Sequence, residues 1–329
     1  MGQSTGKDLH VDQHLTNIAI NYRPQGMVAD MIAPIVPVDK QSNSYPIFSR
    51  FEAFAIEDTR RAPGTEAKKI TRSVSSGKYD AKNFALARDI TIEDLANMDD
   101  VYRANLGIGA TQYLVGKLAL DWERRLTVLA VTTASVGSVF VCNSSWVPSG
   151  TTAGDPVAQL FQLIEHVKGT VGQRPNSLWF GWRAWNRFAR NANARNFILG
   201  SNNGGGVIQR QRAADLFEVQ RLIVSEAMYH TVNEAHVNSF PIANDMENQV
   251  IAYYAPGAPS IEEPSWMYSM RWQNSQLPAP FVVERHPYDS RKKIETIEAG
   301  YYQDEVITGF DYAARLITTA ASGAAGLGA

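Results

Sequence analysis

The sequence predicts an α+β chain built around one long helix, and three observations carry that expectation. Apolar residues recur at helical spacing from Asp100 to Val131. Strand-like runs lie on both sides of that helix, and the run from Lys292 to Tyr302 alternates as a half-exposed antiparallel strand does. Between about 170 and 260, short apolar strands and amphipathic helices intermix as one lobe.

Composition narrows the function classes. Across 329 residues, 31 Lys and Arg stand against 33 Asp and Glu, and the basic residues are scattered. A protein that grips nucleic acid through phosphates shows a basic stripe, and none is present. No run is apolar and long enough to span a bilayer, so no membrane partner is expected. The polar start, Met1 to Asp8, is no secretory signal. Cys142 is the single cysteine, which excludes an intrachain disulfide and fits a small buried residue in a reducing cytoplasm.

Residues 1–40 read as an extended arm punctuated by Pro24, Pro34 and Pro37, with a helical turn around Asp12 to Ile20. Residues 41–88 read as a long hairpin. Its strands are expected over Tyr45 to Ile56 and Ile70 to Leu86, around a charged turn from Asp58 to Glu66. Pro63-Gly64 is turn chemistry, because proline presets φ and glycine supplies a positive φ. Large apolar residues are few here, and an isolated two-stranded hairpin is marginal in water. Such an arm needs another surface, and a second subunit is the expected one.

Residues 89–170 hold two helices. Asp89, Thr91 and Asp99 are candidate caps for the first, whose apolar face includes Leu114, Leu118, Trp122 and Leu126. Gly107, Gly109 and Gly116 weaken its first half. Val136 to Gly154 reads as a connection, and Asp155-Pro156 caps and opens the second helix. In 171–260, Ser177 to Phe180 is an expected strand and Arg183 to Ala194 an expected helix. Gly200 to Gly206 is a loop, and Phe217 to Ser225 and Gln249 to Tyr254 are further strands. Residues 261–329 close with strands at Phe281 to Arg285, Lys292 to Tyr302, Val306-Ile307 and Ala314 to Ile317, then a small-residue tail.

A search for chemistry returns no catalytic, cofactor or metal site. His10 and His14 are four apart but sit in a terminal arm, and His230, Glu234 and His236 lack the zinc-protease order. Gly204-Gly205-Gly206 lacks the Lys-Ser/Thr of a phosphate loop. No G-x-S-x-G elbow singles out a serine. Trp179, Trp182 and Trp185 fit core packing better than a stacking platform.

The order of these parts resembles the major capsid protein of tailed bacteriophages. Tyr45 to Phe54 with Arg61-Ala62-Pro63-Gly64 and Gly77-Lys78-Tyr79 is similar to that family's E-loop. Arg174 to Phe180 with the following helix is similar to the start of its A-domain. Phe281 to Ile317, ending in Phe310-Asp311-Tyr312-Ala313-Ala314-Arg315-Leu316-Ile317, is similar to its closing segment. The resemblance implies an N-arm over 1–40, an E-loop over 41–88, and a P-domain spine helix and second helix over 89–170. It further implies an A-domain over 171–260, and closing P-domain strands and tail over 261–329.

The function so implied is mechanical and not enzymatic: hexamers and pentamers of this chain form an icosahedral shell around double-stranded DNA. The E-loop tip, with Arg60, Arg61, Pro63, Gly64, Glu66, Lys68 and Lys69, would touch neighbouring subunits. Gly204, Gly205 and Gly206 would lie near the capsomer axis. The implied partners are further copies of the chain, a separate scaffolding protein, a portal, a decoration or cement protein, and weakly held DNA. The implied location is the virion, after assembly in the host cytoplasm. Many relatives begin with a fused scaffolding region, whereas the arm here begins near Met1, so the scaffold is expected to be a separate protein or absent. Lys68, Lys69 and Lys78 read as surface charge and not as cross-linking residues. The alternatives are an encapsulin-type nanocompartment shell, which houses an enzyme, and a soluble enzyme using the 170–260 lobe.

Overall fold

A computed structural model of the chain describes residues 12–24, 26–47, 56, 59–67, 69, 75–97, 100–142, 144–146, 154–200, 206–230, 242–243, 246–258, 264–273, 281–289 and 291–319. The expected cap Asp99, the lysine Lys68, the glycines Gly204 and Gly205, and His10, Glu234 and His236 lie outside those residues.

The N-terminal segment forms helix α1 (Gln13–Asn21), the short α2 (Ala29–Ile32) and strand β1 (Ile35–Val38). Asp12 caps α1 by accepting from the Leu15 N–H at 3.0 Å. The hairpin strands are β2 (Ser42–Ile47) and β3 (Ser75–Asp80). Strand β4 (Lys82–Thr91) and helix α3 (Ile92–Asn97) lead to the spine helix α4 (Asp100–Val131), 32 residues long. Next come β5 (Ser138–Val141), α5 (Pro156–Val171), β6 (Ser177–Gly181), α6 (Trp182–Arg190), α7 (Ala192–Leu199), α8 (Arg210–Phe217) and β7 (Arg221–Ser225). A small pair, β8 (Tyr229–His230) and β9 (Ile242–Ala243), precedes β10 (Gln249–Tyr253). The last strands are β11 (Met267–Trp272), β12 (Val282–Asp289), β13 (Ile294–Ile307) and β14 (Ala313–Ile317).

Two five-stranded sheets organise these elements. In the first, β13 pairs antiparallel with β4, β11 and β12, and β1 runs parallel to β11. Burial along β13 alternates, with Ile297, Ala299, Tyr301 and Gln303 turned inward, as the sequence pattern requires. The second sheet has the order β5-β14-β10-β6-β7.

The spine helix ties the two halves together. Ala110, Leu114, Val115 and Leu118 pack with α1, β12 and β13, whereas Trp122, Leu126 and Ala130 enter the large core around the second sheet. A fully buried Leu or Val among these contributes about 1.5–3 kcal/mol, and an Ala less, so one element is fastened in two cores at once. Gly107 faces Ile297 and Leu15 at the seat of α1, where a Cβ would make ordinary contacts at 3.7 and 3.8 Å.

Several expectations are corrected. The second hairpin arm does not run unbroken to Leu86. At buried Ala81 the chain changes partner, leaving β2 and joining β13, a switch set by pairing with a strand more than 200 residues away in sequence. The expected helix Arg183 to Ala194 breaks at Asn191, whose Oδ1 accepts from the Ala194 N–H and starts a new helix. Phe217 ends helix α8 instead of opening a strand; Glu218 then adopts a left-handed conformation, φ 51°, and β7 begins at Arg221. Val136 to Gly154 contains β5. Ala314 to Ile317 belongs to the second sheet and not to the sheet of β13.

Candidate functional site

The hairpin has a seated base and an exposed tip. At the base, β2 and β3 pair from Ser42 opposite Asp80 to Ile47 opposite Ser75. Tyr45 lies across Gly77, where a Cβ would fall 2.5 Å from its ring, so glycine makes room for the aromatic to pack. Tyr79 is buried against Tyr268, Met270 and Val306, with Val36, Val38 and Tyr45 around them. Its hydroxyl donates to the Lys40 carbonyl at 3.0 Å. The Asp80 N–H donates to Asp304 Oδ2 at 2.9 Å, which pins the hairpin to β13. Burial, with help from Asp304, raises the Tyr45 phenol above its ordinary value.

The tip is a locally ordered turn. Gly64 has φ +79°, Thr65 N–H donates to the Ala62 carbonyl at 3.3 Å, and Thr65 Oγ1 donates to the same oxygen at 2.8 Å. Proline second and glycine third is the order that a type II turn demands. Arg61 Nε donates to the Thr65 carbonyl at 2.5 Å. Arg60, Arg61, Pro63, Gly64, Glu66 and Lys69 are all exposed, and Ile56 is 98% exposed. Gly206 is half-buried just before α8.

Beneath the hairpin's seat lies a partly buried polar network that sequence reading missed. Arg125 Nη1 donates to both Glu305 oxygens at 2.8 Å, its Nε donates to Asp121 at 2.9 Å, and its guanidinium lies 3.6 Å from the Phe84 ring centre. Arg271, 1% exposed, donates through Nε to Gln303 Oε1 at 2.9 Å and lies among Trp122, Tyr301 and Phe281. Burial pulls its guanidinium down to about 10, so it stays charged at neutral pH. Burial also pushes up the Glu305 carboxyl, against the pull of Arg125. The only sequence signal was an Arg or Gln at an inward position of a strand, which by itself resembles an exposed face.

Glu123 is a second such residue. At 2% exposure it accepts from the Val28 and Ala29 N–H groups at 2.9 and 2.7 Å, and from Ser225 Oγ at 3.0 Å. One carboxylate therefore joins the N-terminal segment, the spine and β7.

Among the described residues no group of three or more His, Cys, Asp or Glu could hold a metal, and no helix is long and apolar enough to cross a membrane. Burial raises the Cys142 thiol to about 11, which makes it inert. Trp179 and Trp185 are core residues, and Trp182 is 36% exposed.

No family model matches the chain. Its architecture is shared with a crystal structure of a phage-related protein from Bordetella bronchiseptica RB50, at 20% identity and TM-score 0.72, covering 94% of this chain and 97% of that one. It is shared also with the capsid of cyanophage P-SCSP1u, at 11% identity and TM-score 0.55, covering 88% and 87%. The fold is therefore that of the phage shell proteins. In sequence, the chain is 25% identical over 218 residues to the major capsid protein of Pseudomonas phage JBD67, 66% of this chain and 69% of that protein. It is 24% identical over 220 residues to the major capsid protein of Burkholderia phage BcepMu, 67% and 70% respectively. The chain is thus a homologue of phage major capsid proteins.

Proposed function

We propose that this chain is the major capsid protein of a tailed phage, and that its copies build the head shell around double-stranded DNA. The observation that carries the reading is the hairpin on this fold. Its base is locked to the subunit's own β11 and β13, while its charged tip is left to solvent. Arg60, Arg61, Pro63, Gly64, Glu66, Lys68 and Lys69 would make the contact with the next subunit. The spine residues Leu114, Leu118, Trp122 and Leu126 hold the body rigid, and the loop with Gly204, Gly205 and Gly206 would sit near the capsomer axis.

Copies would associate as hexamers and pentamers, since closed symmetry makes many modest contacts cooperative. A scaffolding protein, a portal and a decoration protein are the expected partners, and contact with packaged DNA would be non-specific. The role is mechanical, in the virion, after assembly in the host cytoplasm. The domain division is read as arm, E-loop, P-domain, A-domain and closing strands, with β5 and β14 assigned to the A-domain sheet.

Expression of the chain, alone and with a candidate scaffold, followed by gradient sedimentation and negative-stain microscopy, tests this. Closed shells of phage-head size are expected. A discrete small oligomer would overturn the reading, and small shells holding a co-purified enzyme would favour the encapsulin alternative.

A further inference from the structure

We propose that an open apolar groove beside the spine helix is a binding site for a small single-chain amphiphile with an anionic head, the class of a medium-chain fatty carboxylate. The proposal does not depend on the shell reading, and its failure would leave that reading untouched. The groove lies between the α1–α2 segment and α4 and has a volume of about 320 Å³, which is the size of a small-molecule pocket. Its walls come from three separate parts of the chain: Ile20, Met27 and Met31 before β1, Ala119 and Trp122 on the spine, and Phe281 at the start of β12. Ile20 is 40% and Met31 46% exposed, so a sizeable apolar wall faces water. Two of these wall residues are methionines, whose unbranched side chains re-pack around apolar chains of differing shape.

Charge selects the head group. Of the charged residues that line the groove, Arg23 and Arg271 are cations and Asp30 is the one anion, so the lining is net positive. Arg271 is fixed deep in the wall, 1% exposed, with its guanidinium 5.2 Å from the Phe281 ring centre. Arg23 stands at the mouth with its side chain 77% exposed, 3.2 Å from Asp30. An exposed ion pair of that kind contributes little, so the Arg23 guanidinium can take a second carboxylate without a large loss. An apolar tail would therefore lie along Met27, Met31, Ala119 and Phe281, with its head in water beside Arg23. That arrangement keeps the ligand's charge solvated and buries only hydrocarbon. A molecule so seated touches the N-terminal segment and the body of the subunit together, and it stabilises the fold by mass action.

Calorimetric titration of the full-length chain with decanoate, kept below its micelle concentration, tests this. Saturable binding at one site is expected, with a melting temperature that rises with decanoate concentration. Decanol keeps the tail without the charge and should bind about tenfold more weakly, and decyltrimethylammonium more weakly still. Met31→Glu places a like charge on an exposed part of the wall; it should keep the ligand-free melting temperature and weaken decanoate about tenfold or more. Ala119→Phe fills the groove and should abolish binding of decanoate and decanol alike. Position is read by a bromine-tagged decanoate, which quenches nearby indoles: part of the quenching in wild type should vanish in Trp122→Phe. Heat that never saturates, or undiminished affinity in Met31→Glu, would overturn the site. Quenching identical in wild type and Trp122→Phe would place the ligand elsewhere and overturn it as well. Equal affinity for decanoate and decyltrimethylammonium would overturn the anionic head.

Discussion

Single residues fasten segments that are far apart in sequence, and their removal has calculable consequences. Glu123→Ala would leave three buried donors without their acceptor, which costs about 2–5 kcal/mol and should show as a large fall in melting temperature. Glu123→Gln keeps the acceptor and should be nearly neutral. Burial raises the Glu123 carboxyl above its ordinary value, against the hydrogen bonds from Val28, Ser225 and Ala29. The native state therefore binds this proton more tightly than the unfolded chain does. The stability it contributes is absent above the raised value and grows as pH falls toward the ordinary carboxylate range. The melting temperature of wild type minus that of Glu123→Gln should rise across that window, and a flat difference would contradict the assignment. Trp122→Ala should cost about 3–5 kcal/mol by thermal or denaturant melting. Gly181→Ala should abolish soluble expression, because a Cβ there would lie 1.7 Å from the Met246 carbonyl oxygen, and backbone cannot yield as a side chain can.

At the scale of elements, deleting Asp58 to Lys69 should leave helical content and solubility intact while blocking particle formation. The seat of the hairpin lies in Tyr79, Tyr45 and Asp80, outside the deletion. Circular dichroism with sedimentation would separate the two effects, and a deletion that precipitates would count against the seat described. The elements that could be read from sequence were those with a strong local signature. The spine helix spans Asp100–Val131 as its periodicity required, and α5 starts where Asp155-Pro156 placed it. What could not be read was decided by distant contacts. Strand β5 is four residues whose pairing depends on β14, and the change of partner at Ala81 depends on β13. Asn191 divides two helices by a side-chain cap in a sequence that otherwise reads as continuous helix. The hairpin tip, Pro63-Gly64, was evident because turn chemistry is local. The buried Arg271 and the part-buried Arg125 and Glu305 were not, because charge gives no hint of burial until its partners are known.

For the whole molecule, strand β14 sets a condition on when the subunit is finished. β14 lies between β5 and β10, and β5 has no other neighbour in its sheet. A nascent chain still attached to the ribosome short of residue 313 would hold 138–141 without a mate, however complete its hairpin and spine. The larger core therefore cannot close until residues 313–317 have emerged. Chains truncated before Ala313 should accordingly be captured by chaperones or degraded, and not enter a lattice as defective tiles.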